Sequence, residues 1–130
     1  MSFPEKPFKL SISHIKILLT VSELNSRHSY PMKEGIGKLL RGEIDDETMK
    51  FSNITAFGTL ISFKGRKLSS YILVLQRRGY LLNKYDSKSN AFFLAITAKG
   101  EEEIRLFFKR HPRVFKKKTQ TFTNTILIEK

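Results

Sequence analysis

Apolar side chains along this chain return at a helical period four times and at a strand-like alternation twice. Ile12, Ile15, Leu18, Leu19 and Ser22 share one face at three- and four-residue spacing, which predicts an amphipathic helix over 11–25. Residues 26–31 are polar and end in Tyr30-Pro31, a loop whose proline suits the start of the next helix. Met32, Ile36, Leu39 and Leu40 pattern that short second helix. Gly35 and Gly37 inside it imply close packing or distortion, and Arg41-Gly42 supplies a left-handed stop. The acidic, weakly patterned 43–53 reads as a loop with one helical turn at most.

Ser62 caps a third run, in which Leu68, Tyr71, Ile72 and Leu75 form an apolar stripe ended by Gly79. Off that stripe, the first turn and a half carries Lys64, Arg66, Lys67, Ser69 and Ser70. Residues 80–85 and 91–97 read as two strands around the polar turn 86–90, a β-hairpin. Ile104, Phe107 and Phe108 then pattern a last helix over 98–110. Glu101, Glu102 and Glu103 sit in its first turn and Lys109-Arg110 in its last, as the helix dipole favours, and His111-Pro112 ends it. The remainder opens basic and closes on the β-prone stretch 122–128, which leaves an edge strand, a dimer contact and a plain tail all open.

Composition narrows the class. At 130 residues and 40% hydrophobic, the chain suits one α+β domain over 12–110, an N-terminal extension over 1–11 and a basic tail over 111–130. The absence of cysteine excludes a disulfide scaffold, a zinc ribbon and a thiol nucleophile. Pro4, Pro7, Lys6 and Lys9 interrupt the segment where a signal peptide would need an apolar run. No stretch approaches the roughly 20 apolar residues of a membrane span. The expectation is therefore an intracellular protein, cytoplasmic or nucleoid-associated, with no membrane partner.

Charge changes the picture most. The 24 Lys+Arg against 12 Asp+Glu give a net +12, an excess that calls for a polyanionic partner. The acids gather at Glu43, Asp45, Asp46 and Glu47 in a loop and at the triple glutamate of a helix start, where they need not face a ligand. The bases thicken toward the C-terminus, where Arg105, Lys109, Arg110, Arg113, Lys116, Lys117 and Lys118 follow one another without an acid. A run of this kind is also the ordinary composition of a solvated tail.

Helix, helix, loop, helix, hairpin is the winged-helix order, in which the third helix docks against a duplex and the hairpin is the wing. Cations and small hydroxyls at the start of that helix suit backbone contacts, so Lys64, Arg66, Lys67, Ser69 and Ser70 are the candidate DNA-binding residues, with Lys88 and Asn90 at the hairpin tip. Three pieces sharpen this: Ile36-Gly37-Lys38-Leu39-Leu40-Arg41-Gly42, Phe57-Gly58, and the run from Leu68 through Gly79-Tyr80-Leu81 to Ile96-Thr97-Ala98-Lys99-Gly100. In register over roughly 12–110, they resemble the RecQ C-terminal (RQC) winged-helix domain of RecQ-type DNA helicases. The resemblance implies a module of DNA repair, recombination or replication. It also implies that Arg41, the arginine of the Leu-Arg-Gly motif, contacts a phosphate. Four departures accompany it. Glu43 stands where the family has a phosphate-contacting serine, and Leu60-Ile61 replace a Gly-Lys. Lys67 and Leu68 replace recognition-helix aromatics, and Ser69 replaces a lysine. Some family members carry a strand-separating aromatic at the hairpin tip. Here Lys88-Ser89-Asn90 fill the tip, Phe93 is expected to turn into the core, and Tyr85 and Phe92 remain as exposed platforms.

Enzymatic readings find little support. The nearest text to a phosphate-cradling loop, Gly35-Ile36-Gly37-Lys38, lacks its spacing and hydroxyl, so no helicase motor is expected in this chain. His14, His28 and His111 are scattered, and the loop carboxylates Asp45-Asp46-Glu47 read as solvated rather than metal-bound. The expectation is a non-catalytic DNA-binding module with no cofactor or metal. Two alternatives stay open: a dimeric winged-helix regulator paired through 122–128, and an RNA- or ribosome-associated adaptor led by the basic tail. Monomer and homodimer are equally compatible with the sequence.

Overall fold

Each predicted element appears close to its expected place in a computed structural model that describes residues 10–46, 48–60 and 65–112. The order is α1 (Ile12–Ser26), α2 (Lys33–Arg41), a single 3₁₀ turn (Met49–Phe51), α3 (Gly65–Arg77), β1 (Leu81–Asp86), β2 (Ala91–Ile96) and α4 (Ala98–Arg110). Over the described residues this is an α+β fold of four helices and one two-stranded antiparallel hairpin. The N-terminal extension through Lys9, the Ser62 cap, Lys64, Glu47 and the tail from Arg113, with its 122–128 stretch, lie outside the described residues.

Helix α1 is the hub. Ser11 caps it: its hydroxyl accepts from the His14 N–H at 3.4 Å while its own N–H donates to His14 Nδ1 at 3.1 Å, so a histidine fills the usual Glu/Gln place of a capping box. The buried set is Ile15, Ile17, Leu18, Thr20, Val21 and Leu24, a wider face than the sequence pattern suggests. The reason is that α2, α3, α4 and β2 all pack on this one helix. Ile12, expected in the stripe, falls before that zone and stays 43% exposed. Ser22 stands at its margin and donates to Glu101 of α4 at 2.6 Å.

Helix α2 ends as predicted, with Gly42 in the left-handed region at φ 77 and its N–H returned to the Leu39 carbonyl. The close-packing expectation holds for Gly37, where a Cβ would lie 2.8 Å from Leu68 Cδ2, but not for Gly35, which has open space. Beyond α2, Thr48 is buried and organises the acidic loop. Its hydroxyl accepts from the Asp45 N–H at 2.9 Å and donates to the Glu43 carbonyl at 2.7 Å, and its own N–H donates to Asp45 Oδ1 at 2.9 Å.

The hairpin runs in register from Leu81↔Ile96 to Asp86↔Ala91, and only its base, at Leu81, Leu94 and Ala95, is buried. The outer edge of β2 is closed by groups that are not a strand. The Leu94 N–H donates to the Pro31 carbonyl at 2.8 Å and the Ile96 N–H to Asn25 Oδ1 at 2.8 Å, while Asn25 Nδ2 reaches the Leu94 carbonyl at 3.4 Å. Thr97, predicted as the strand end, leaves the strand to cap α4, accepting from the Gly100 N–H at 3.0 Å. Phe93 is half-buried rather than fully in the core, because the space it enters is a small cleft shared with Tyr30, Pro31, Met32 and Phe51.

Two substitutions test this framework by equilibrium denaturation. Asn25→Ala leaves the Ile96 N–H and Leu94 carbonyl unmatched and is expected to cost about 2–3 kcal/mol. Gly100→Ala gains about 1 kcal/mol of helix propensity. Its Cβ, however, would lie 2.4 Å from the Tyr80 carbonyl oxygen, a backbone atom that cannot turn aside. The clash therefore wins, with a net loss of about 1–3 kcal/mol.

Candidate nucleic-acid interface

Burial of Leu68, Ile72 and Leu75 fixes how α3 is rotated. The line directly opposite, at i, i+4, i+7 and i+11, is Arg66, Ser70, Leu73 and Arg77, all exposed. Lys67 flanks this line on one side and Ser69 on the other, both exposed. Of the residues expected to bind DNA, the fold thus gathers Arg66, Lys67, Ser69 and Ser70 at one end of one helix face. Leu73, 45% exposed in the middle of that face, and Arg77 were not singled out from the sequence. The signal that finds them is the same helical spacing, together with a longer one. From Thr48 to Tyr85 the chain contains no acid, against Lys50, Lys64, Arg66, Lys67, Arg77, Arg78 and Lys84.

Helix α3 is tied to the hairpin by Gln76 Nε2, which donates to Asn83 Oδ1 at 2.7 Å. Strand alternation then places Tyr85 and Phe92 on the same hairpin face as Asn83. They are direct cross-strand partners, with tilted rings 5.2 Å apart, and are 55% and 58% exposed. An aromatic pair of this kind offers a flat apolar surface beside the polar line of α3. Lys84 lies on the opposite face, with its Nζ 5.1 Å over the Tyr30 ring.

Two expected contacts take on other work. Asn90, at φ 52 in the turn and exposed, accepts the Tyr85 hydroxyl at 2.5 Å through its Oδ1, so this oxygen steadies the aromatic pair. Arg41 lies across a cleft from α3 and pairs with Glu43. Lys38 likewise pairs with Asp45 at 3.0 Å. The acidic loop therefore folds back onto α2 instead of keeping clear of the basic surface, because the Thr48 hydrogen bonds draw it inward. Lys88 is exposed at the turn, where its N–H and the Ser89 hydroxyl both donate to Asp86.

On the flank of α3 facing α1, the His14 ring stacks on Tyr71 at 4.4 Å. Partial burial lowers the His14 pKa from its ordinary 6.5. Its Nδ1 accepts the Ser11 N–H, which only an unprotonated nitrogen can do. Among the described residues no three His, Asp or Glu side chains assemble as a metal site, and no helix is long and apolar enough to cross a membrane. Comparison with family models, curated proteins and solved structures returns no match.

The His14 shift carries a sign. Folding favours the neutral ring, so this contribution to stability is complete above pH 6.5 and is lost as pH falls through the folded-state value. The melting temperature should decline between pH 7.5 and 5.5, and His14→Gln should flatten that decline. Identical pH profiles for the two proteins would show that His14 is not its source.

Proposed function

We propose that this chain binds duplex or branched DNA as a winged-helix module of the RQC type, with α3 as the recognition helix and the β1–β2 hairpin as the wing. The observation that carries the reading is the line of Arg66, Ser70, Leu73 and Arg77, which contains no acid and continues through the Gln76–Asn83 bond to the Tyr85–Phe92 pair. Guanidinium and ammonium groups on such a line neutralise phosphates, and the serine hydroxyls donate to phosphate oxygens at close approach. Leu73 supplies the apolar contact that a thymine methyl takes in a major groove. Tyr85 and Phe92 give the hairpin a stacking surface for a base or sugar at a branch, where nucleotides are not fully paired.

The element order supports the winged-helix assignment, and so does the meeting of two of the resembling motifs. The glycines of Leu40-Arg41-Gly42 and Phe57-Gly58 face each other, with a Cβ on Gly42 falling 3.1 Å from Gly58 Cα. The Gly58 N–H donates to the Leu39 carbonyl at 2.9 Å. In this reading the chain is a binding module that acts by holding DNA in repair, recombination or replication, and carries out no chemistry of its own.

Fluorescence anisotropy across duplex, forked DNA and duplex RNA at several salt concentrations tests it. The triple variant R66E/K67E/R77E should bind both DNA forms at least tenfold more weakly, and the slope of log K against log salt should fall by about 2–3. DNA affinity unchanged in that variant would overturn the assignment of α3, and a clear preference for RNA would overturn that of the ligand.

A further inference from the structure

A cleft of about 500 Å³ opens between α2 and the first turn of α3. Lys33, Lys38 and Arg41 line it from α2, and Gly65 and Ser69 from α3. Its floor is made close by Gly37: a Cβ there would come within 2.9 Å of Arg41 Nη1, so the missing side chain is what lets the guanidinium lie against the helix. Three cations, a hydroxyl and two glycines around one opening are the chemistry that holds a phosphate. The acids beside it are the anomaly. Glu34 sits on the lining, Asp45 pairs with Lys38, and Glu43 pairs with Arg41.

These carboxylates differ in kind. Asp45 is bound into the loop, since its Oδ1 accepts the Thr48 N–H at 2.9 Å while Oδ2 takes Lys38. The Glu43 backbone is equally engaged, with its N–H donating to the Lys38 carbonyl at 2.8 Å and its carbonyl accepting from Thr48. Its side chain, about half exposed, does something separate: its Oε2 takes the Arg41 Nε–H, as a phosphate oxygen would.

We infer that the α2–α3 cleft is a site for a phosphate-class anion and that Glu43 is its built-in competitor, occupying Arg41 until the anion displaces it. An incoming phosphate meets Arg41 already engaged at Nε by Glu43 and competes with that ion pair. The cleft therefore contributes little to the capture of isolated anions and more to ligands already held on α3. The part concerning duplex rests on the function proposed above; the cleft itself does not.

Glu43→Gln tests the competition while sparing both backbone hydrogen bonds. It should bind duplex DNA about three- to tenfold more tightly than the wild type at low salt, with the salt slope steeper by about 1. The gain should vanish in R41Q/E43Q. Glu102→Gln removes the same charge from α4, where Glu102 pairs with Arg105, and should leave affinity and slope unchanged. Titration with inorganic phosphate, followed by backbone amide NMR, should move Gly37, Gly65 and Ser69 further in E43Q than in the wild type. Duplex binding by E43Q no tighter than the wild type, or a gain that survives R41Q, would overturn the competition. Amides at Gly37, Gly65 and Ser69 that ignore phosphate in E43Q would overturn the site. Should no variant bind duplex, the proposed function falls, and the phosphate titration alone decides the cleft.

Discussion

A two-stranded hairpin with only its base buried is not stable in water unless something else completes its edge. Here the completion is one side chain and one backbone carbonyl, Asn25 and Pro31. Asn25 matches both the donor and the acceptor of the β2 edge, receiving the Ile96 N–H and giving its amide to the Leu94 carbonyl, while also holding the Ser29 carbonyl at 3.0 Å. It thereby joins the end of α1, the loop before α2 and the hairpin at one point. Pro31 suits the adjoining position because the group it provides is a carbonyl, the one backbone group proline retains. The hairpin's placement beside α3, and hence the continuity of the exposed surface from Arg66 to Phe92, depends on this junction.

A second constraint sets where α3 begins. A Cβ on Gly42 would fall 3.1 Å from Gly58 Cα, and both glycines lie in the left-handed region, which disfavours a side chain at either position. The Leu39 carbonyl accepts from both glycine N–H groups, at 3.1 and 2.9 Å, and the Leu40 carbonyl accepts from Leu60 at 2.9 Å. The turn after the acidic loop is thus clamped to the end of α2, under a small core of Leu24, Leu39 and Ile54 flanked by Phe51 and Phe57. Helix-to-helix packing through Gly37 and Leu68 continues the same contact. The opening between α2 and α3 lies beside this contact.

Much of this was legible in the sequence because it rests on local rules. Helical periodicity, the Gly42 and Gly79 stops, the polar hairpin turn and the dipole-matched charges of α4 all depend on neighbours within a few residues. The same rules exposed Arg66, Lys67, Ser69 and Ser70 on one face. What escaped them depends on distant partners. Ile12 follows the period of α1, yet it stays 43% exposed. Asn25 is an ordinary polar residue until β2, some seventy residues later, arrives at its amide. Asn90 looks like a tip residue, whereas its partner is the tyrosine it steadies. The return of the acidic loop onto Lys38 and Arg41 has the same origin, since it follows from the burial of Thr48, a single side chain whose importance no local pattern signals.

The net charge of +12 describes what an approaching anion feels from afar, but contact is decided by local compensation. On α4, Arg105 is met by Glu102 at 2.5 Å, and on α2 both Lys38 and Arg41 are met by loop carboxylates. The stretch that carries α3, from Thr48 to Tyr85, contains no acid of its own. Compensation on α2 is partly a consequence of construction: a loop that must bury Thr48 needs an acceptor at Asp45, and the charge of that acceptor falls on Lys38 whatever the ligand. No such necessity applies to the carboxylate of Glu43, whose backbone alone serves the loop. Of the two loop acids paired on α2, one has its carboxylate bound into the loop and the other does not.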